Sequence, residues 1–222
     1  MSDRPRYVAI IMDGNARWAR AKGLGVTEGH RAGTDALKRA IKLAGEFGLE
    51  QLTVYAFSTE NWARPIAEVS GLMSLFLERI RREAQEMDRE GVRLRFIGRR
   101  DRIAPEVADE IEWAEQLTAR HTALTVFVGF DYGGRAEILH AAERYQGGGE
   151  EQFRCHLYAP DLEDPELIIR TGGELRLSNF LLWEAAYSEL YFSDALWPDF
   201  DRGEFERALD AFGSREYRFG GR

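Results

Sequence analysis

Short apolar stretches alternate along this chain with longer amphipathic ones. The strand-like stretches, rich in β-branched and aromatic residues, are 7–12, 51–58, 93–98, 123–130, 167–170 and 189–192. The helix-like stretches are 29–47, 68–90, 105–119, 133–145, 179–186 and 203–214. This alternation predicts an α/β fold, with a central, mostly parallel six-stranded sheet flanked by helices. We expect residues 1–222 to form one domain, because the low-complexity segment 146–152 is typical of a flexible surface connection.

Charge and hydropathy exclude several classes of protein. The net charge is −8 over 222 residues, whereas a nucleic-acid binder usually carries a basic face. No apolar run approaches the ~20 residues that span a bilayer, and the segment 1–11 lacks the apolar stretch of a signal peptide. We therefore predict a cytoplasmic protein without a nucleic-acid partner.

The end of the first strand-like stretch carries polar groups suited to an anion. Asp13 could hold a metal ion there, and Gly14 would let the backbone approach a ligand closely. Asn15 could cap a following helix, whose free N–H groups favour an anion, and Arg17 adds positive charge. The pattern predicts a phosphate site beside a Mg²⁺ ligand. An ordinary capped turn from strand to helix is the alternative.

A second polar cluster follows the stretch 51–58. Ser58, Glu60, Asn61 and Arg64 should lie beside the first cluster, because the carboxyl ends of parallel strands share one edge. A polar loop anchored by a tryptophan is the alternative. His30 stands between two glycines in "GHRAG", and it is either a structural histidine or part of the same site.

Two further strand ends repeat the combination of glycine, arginine and hydroxyl or amide groups. They are "FDYGGR" (130–135) and "IIRTGGELRLSN" (168–179), and the second includes Arg170, Arg176 and Ser178. One such loop would mean little. Several on one edge predict a site for a ligand with two or more phosphates.

The segment 69–87 has an apolar face wider than a single stripe. It could pack on the sheet or line a tunnel for a lipid chain, and its sequence does not choose between them. The glycine-rich motifs of dinucleotide-binding and P-loop proteins are absent from the chain.

Taken together, these motifs resemble those of the bacterial cis-prenyltransferases. The matching stretches run in the family's order over nearly the whole chain: "VAIIMDGNARWA", "GHRAG", "LTVYAFSTENWARP", "YGGRAEI" and "IIRTGGELRLSNFLLWEAAYSELYF", then a terminal segment with Arg218. The resemblance implies an α/β homodimer with an apolar tunnel for the prenyl chain. It also implies Mg²⁺-dependent condensation of isopentenyl diphosphate with an allylic prenyl diphosphate to a Z-polyprenyl diphosphate. Peripheral contact with the inner face of a membrane would release such a product.

The resemblance also assigns roles to individual residues. It implies catalytic roles for Asp13, His30 and Asn61, and Mg²⁺ binding by Asp13 with support from Glu189. The allylic diphosphate would be held by Gly14, Asn15 and Arg17, with Trp18 alongside. Isopentenyl diphosphate would be held by Arg170, Arg176 and Ser178. The reaction centre would be lined by Ser58, Glu60 and Arg64.

The chain departs from the family pattern in four places. Val26 replaces an arginine, Leu175 replaces histidine or glutamine, Asp131 replaces asparagine, and the segment 146–166 is short. The runner-up interpretation is a non-catalytic subunit that stabilises an active cis-prenyltransferase, although the intact Asp13 and Asn61 speak against it.

Overall fold

A six-stranded sheet forms the centre of the computed structural model, which describes residues 4–214. Every strand pair is parallel, so the predicted mostly parallel sheet is confirmed and is parallel throughout. The spatial order is β3-β4-β2-β1-β5-β6. The strands are β1 (Tyr7–Ile11), β2 (Gln51–Ser58), β3 (Val92–Ile97), β4 (Leu124–Tyr132), β5 (Leu167–Arg170) and β6 (Glu189–Phe192).

Burial on both faces explains why the inner strands are continuous apolar runs. Val8 and Ile10 of β1 face a larger core, which the sheet shares with helices on one side. Ala9 and Ile11 face a smaller core on the other side, built around the buried ring of Phe180. Side chains of a strand alternate between the two faces, so both layers are encoded in a single apolar run.

Seven α-helices cover the sheet in the described part of the chain. Pro105 opens one of them, where its missing N–H costs nothing. Asp201 caps the last by accepting a hydrogen bond from the Glu204 N–H at 2.9 Å. The helices are α1 (Asn15–Ala21), α2 (Val26–Glu46), α3 (Ile66–Arg89), α4 (Pro105–Thr118), α5 (Gly134–Ala142), α6 (Gly149–Arg154) and α7 (Arg202–Gly213).

One sequence-based prediction is wrong, and another holds only in part. The segment 179–186 is not a helix, because Asn179 and Leu181 have φ of 66° and 45°, which an α-helix does not accommodate. Only a 3₁₀ turn forms nearby, at Glu184–Tyr187. The segment 146–152 is exposed, as a surface connection should be, but its residues from Gly149 onward belong to α6.

The strand register brings four carboxyl ends to one edge of the sheet. Ile11 lies opposite Arg170 in β1 and β5, and Ser58 lies opposite Tyr132 in β2 and β4. The edge therefore collects the polar loops predicted to form a site. Glu189 instead begins β6 opposite the first residue of β5, at the other end of the strands.

Within residues 4–214, no helix combines the length and the apolar character needed to cross a membrane.

Candidate active site

Asp13 lies just beyond β1 with its carboxylate between two guanidinium groups. Oδ2 accepts a hydrogen bond from Arg170 at 2.9 Å, and Oδ1 pairs with Arg17 at 3.1 Å. The Asp13 side chain is 30% exposed, so a ligand can reach it. Two cations held around one accessible carboxylate form a positive site whose charge is only partly neutralised.

Thr171, directly after the neighbouring strand β5, fixes the backbone of Asp13. The Asp13 N–H donates to the Thr171 hydroxyl at 2.9 Å, and that hydroxyl donates to the Asp13 carbonyl at 2.8 Å. Gly172 follows with φ of 86°, and a side chain there would come within 2.5 Å of Arg17. The Gly172 carbonyl accepts from Arg17 at 2.7 Å. Thr171 was not identified from the sequence, although its place directly after Arg170 could have indicated it.

Arg170 is a buried guanidinium at the centre of the site. Besides Asp13, it donates to the Ser178 hydroxyl at 2.7 Å and to the carbonyl of Arg176. Its Nε is buried and has no partner among the described residues. The Arg176 side chain does not join this cluster, since it is 60% exposed and pairs with Glu174 at 2.6 Å. The structure thus brings Arg170 and Ser178 to Asp13 and leaves Arg176 at the rim.

The polar residues after β2 form a 3₁₀ turn, Thr59–Ala63, at the same edge. The Ser58 N–H donates to the Asn61 amide oxygen at 3.1 Å, and the Ser58 side chain accepts from the turn in return. Glu60 accepts from the Asn179 amide at 2.8 Å. Asn179, which was not identified from the sequence, therefore ties this turn to the segment that holds Ser178.

His30 and Arg64 lie on the side of the site that faces α3. Arg64 pairs with Glu68 at 3.0 Å. Burial, then the nearby charge of Arg64, lowers the pKa of His30, so its imidazole is neutral at neutral pH. The buried His30 Nε2 has no partner within residues 4–214.

The close packing of α1 on α2 explains the glycines around His30. A side chain at Gly29 would come within 2.3 Å of the Asn15 carbonyl, and one at Gly33 within 2.4 Å of the Asn15 amide oxygen. The prediction that Asn15 caps α1 is wrong, because Gly14 is the N-cap and Asn15 is the first helical residue. Gly14 itself has φ of 116° and contacts Leu196, so protein packing alone requires glycine there.

An apolar cavity of about 190 Å³ begins beside Asn15 and His30 and lies between α2, α3 and the sheet. Its wall follows α3 from Leu72 to Met87, roughly 22 Å along the helix axis. Phe76 lines it with other apolar side chains, while the charged groups of Arg79 and Glu83 lie further along α3.

Trp18 is held on the outer side of α1. Its indole N–H donates to Asp199 at 2.8 Å, and the Lys22 ammonium lies 4.9 Å from its ring centroid. Lys22 therefore contacts an aromatic face rather than Asp13. Val26 begins α2 and is 37% exposed, and Leu175 is also exposed, so neither departure from the family pattern is buried.

The two predicted metal ligands do not meet within one chain. Glu189 lies at the end of the strands remote from Asp13. Among residues 4–214, no three His, Cys, Asp or Glu side chains form a metal site. A single carboxylate can nevertheless bind Mg²⁺ when substrate phosphates and water supply the other ligands of the ion. Asp13 fits such an ion, whereas Glu189 of the same chain does not.

Known proteins match the chain over almost its whole length. The family model described as putative undecaprenyl diphosphate synthase matches residues 11–220. An isoprenyl transferase of Thermotoga maritima is 48% identical over 226 residues, covering 98% of this chain and 97% of the relative. The ditrans,polycis-undecaprenyl-diphosphate synthase of Escherichia coli K12, whose name specifies (2E,6E)-farnesyl diphosphate, is 48% identical over 227 residues, 97% of this chain and 90% of that one.

Solved structures agree with the fold. Lavandulyl diphosphate synthase from Lavandula x intermedia, in complex with dimethylallyl diphosphate, matches with a TM-score of 0.94, 32% identity and 99% coverage of both chains. A probable undecaprenyl diphosphate synthase from Campylobacter jejuni matches with a TM-score of 0.85, 32% identity and full coverage of both. On this likeness of sequence and fold, the chain belongs to the undecaprenyl diphosphate synthase family and is a cis-prenyltransferase.

Proposed function

We propose that the enzyme condenses isopentenyl diphosphate with an allylic prenyl diphosphate to give a Z-polyprenyl diphosphate, a carrier-lipid precursor of the undecaprenyl type. One observation carries the proposal: a carboxylate flanked by two arginines stands at the same sheet edge as the start of an apolar cavity. Diphosphate groups and an apolar chain require these two surroundings side by side.

In this proposal the two diphosphates occupy neighbouring parts of one cluster. The allylic diphosphate lies on the Gly14–Arg17 segment with Trp18 alongside. Isopentenyl diphosphate lies on Arg170 and Ser178, and the exposed Arg176 turns from Glu174 to reach it. Guanidinium groups suit this task because they bind phosphate oxygens in a bidentate manner.

The reaction breaks the allylic C–O bond and releases diphosphate. C4 of isopentenyl diphosphate then attacks the carbocation, and a proton leaves C2. Arg17 stabilises the charge on the leaving diphosphate, while the apolar wall keeps water from the cation. Ser58, Glu60, Asn61 and Arg64 line the reaction centre. The proton acceptor is either a diphosphate oxygen or a side chain such as neutral His30.

Magnesium is proposed to act at Asp13 together with substrate oxygens. When bound, it would neutralise charge on the departing diphosphate. A contribution from Glu189 to the same site would have to come from another copy of the chain. The terminal segment with Arg218 lies outside the described residues.

We also propose a homodimer in the cytoplasm, with peripheral membrane contact for product release. Tyr187 is 84% exposed and precedes β6, which is an edge strand of the sheet. A two-fold interface over this region would cover both features. Light scattering should give about twice the chain mass of 25.4 kDa, and Tyr187→Asp should lower it. A fully active monomer would contradict the proposal.

The test of function is turnover by the purified protein alone, with Mg²⁺, labelled isopentenyl diphosphate and an allylic primer. Butanol-extractable label supports the proposal, and chromatography of the product gives its chain length. Asp13→Asn should reduce turnover by on the order of 10²–10³-fold. The control Asp161→Asn, which removes the charge of an Asp paired with Arg95 away from the site, should not. Label that forms only after a second cis-prenyltransferase subunit is added would favour the non-catalytic role.

A further inference from the structure

Asp131 occupies an irregular position at the end of β4. Phe57 and Ser58 of β2 pair with Phe130 and Tyr132, so Asp131 is an extra residue in the ladder. Its φ of 49° lies in the left-handed region, which aspartate tolerates better than most residues. Such a bulge redirects one side chain out of the regular alternation of a strand.

The redirected carboxylate is fully buried and is satisfied by two other segments. Arg102, in the loop between β3 and α4, donates from Nε to Oδ2 at 2.7 Å and from Nη2 to Oδ1 at 2.5 Å. The indole N–H of Trp62 donates to Oδ1 at 2.8 Å. The Arg102 guanidinium also lies 5.8 Å from the Trp62 ring centroid. Three segments of the chain therefore meet at one carboxylate.

Backbone contacts also hold Asp131 in place. The Arg99 N–H donates to the Asp131 carbonyl at 3.1 Å. Gly98 has φ of 133°, and a side chain there would come within 2.1 Å of the Phe130 carbonyl. The loop after β3 thus closes tightly over the bulge. A carboxylate held this firmly can fix the position of the groups that bind it.

Trp62 belongs to the Thr59–Ala63 turn, and it is the residue directly after Asn61. Its ring packs edge-on against Phe57 with centroids 5.0 Å apart. Within the turn, Asn61 and Ser58 bond mainly to each other. The hydrogen bond from Trp62 to Asp131 therefore connects the turn to the rigid sheet.

We propose that Asp131 is a positioning residue, which acts through Trp62 to hold the Thr59–Ala63 turn in the geometry that lines the reaction centre beside the allylic primer. The inference rests on the proposed function, because it takes that turn as part of the reaction centre. Asp131 itself does not contact substrate. Its charge is matched by Arg102, so this pair and the indole form one unit.

The test compares Asp131→Ala and Asp131→Asn with Asp161→Asn, the variant of an Asp–Arg pair outside the unit. Asp131→Ala should lower kcat/KM for the allylic primer by roughly 10- to 100-fold, the scale expected when reacting groups are misplaced by about 1 Å. The KM for isopentenyl diphosphate should change less than about twofold, because Arg170 is untouched. Asp131→Asn keeps an acceptor for the indole and should recover most of the loss.

Trp62→Phe provides a second variant if Asp131→Ala fails to fold. It removes the N–H donor while keeping an aromatic ring, and it should reproduce a primer-specific loss. Parental primer kinetics in Trp62→Phe and in any Asp131 variant that folds would overturn the proposal. An equal loss of kcat/KM for both substrates, in proportion to the unfolded fraction of the variant, would also overturn it, because a purely structural role predicts that result.

Fluorescence separates this inference from the proposed function. The Trp62 emission is the difference between the parent spectrum and that of Trp62→Phe, and the same difference can be measured in the Asp131→Ala background. We expect a red shift without the carboxylate and little shift with Asp131→Asn. If Asp131→Ala shows this shift while the parent protein has no turnover, the proposed function is refuted and the anchoring of Trp62 by Asp131 is retained. An unchanged Trp62 emission in Asp131→Ala would overturn the anchoring itself.

Discussion

At the scale of single residues, Arg170 and Arg176 differ far more than their proximity in sequence indicates. The Arg170 side chain is 5% exposed and bonds to three other residues, whereas Arg176 is 60% exposed and has one ion pair. Loss of a buried, multiply bonded cation removes structure together with charge. Loss of an exposed one should affect binding alone.

Arg176→Ala should therefore raise the KM for isopentenyl diphosphate without changing Tm. One or two charge-assisted hydrogen bonds contribute about 1.5–3 kcal/mol, which corresponds to roughly a 10- to 150-fold rise. Arg81→Ala is the matched control, because Arg81 is 64% exposed and paired with a carboxylate on the surface. A rise in the KM of the primer instead would show that the two diphosphate sites have been assigned the wrong way round.

At the scale of elements, α3 packs on the sheet and also borders the apolar cavity. Ile80 and Ala84 are buried in the larger core, and Ile80 also belongs to the cavity wall with Leu72 and Phe76. One wide apolar face thus packs on the sheet and borders empty space. The inner side chains of α3 therefore set the volume of this cavity, which is where we propose that the prenyl chain grows.

Leu72→Trp should shorten the products, because a larger half-buried side chain reduces the cavity volume. The primer kinetics for the first condensation should change little. Ser74→Trp adds the same bulk on the exposed face of α3 and should leave chain length unaltered. Reverse-phase chromatography of the products measures both. Equal product length in the parent and Leu72→Trp would remove this cavity from the path of the chain.

At the scale of the whole molecule, the smaller core contains two buried carboxyl groups outside the site. Glu137 accepts hydrogen bonds from the Tyr132 hydroxyl and from the Tyr158 N–H. Glu184 is 2% exposed, and its Oε2 has no partner in the described part of the chain. Burial and then the charge of Glu137 raise the pKa of Glu184 to about 8, and burial raises that of Glu137 to about 6.

These raised pKa values make the fold less stable as pH rises. Above the unfolded value of 4.5 the unfolded chain loses protons that the folded chain retains, so stability falls from about pH 4.5 to about pH 8. Glu184→Gln should remove most of this loss. We expect its advantage to be small at pH 5 and to reach at least ~1 kcal/mol, roughly 2–4 °C in Tm, at pH 8.5. Thermal melts of both proteins across this range measure it, and a constant difference would contradict the assignment.

Sequence patterns determined the layers of this protein and the edge at which its site lies. The buried strands are encoded by apolar runs such as that of β1, because a strand covered on both faces admits few polar residues. The carboxyl ends of parallel strands meet at one edge, so Asp13, Ser58 and Arg170 could be placed together before their contacts were known. The irregular conformation of the segment 179–186 could not be predicted from the sequence. Its left-handed residues are fixed by tertiary contacts, whereas the prediction rested on local periodicity.

Only the tertiary structure decided which of these polar groups touch one another. Arg170 and Arg176 look alike in sequence, yet burial makes one the centre of the site and leaves the other at its rim. Glu189 lies at the far end of its strand because strand direction and register, which no single segment encodes, set its position. Asp131 replaces the asparagine of the family pattern, and the role of its carboxylate depends on the contacts that it makes with Arg102 and Trp62. Such contacts join segments far apart in the chain, so they arise only when the whole sheet has formed.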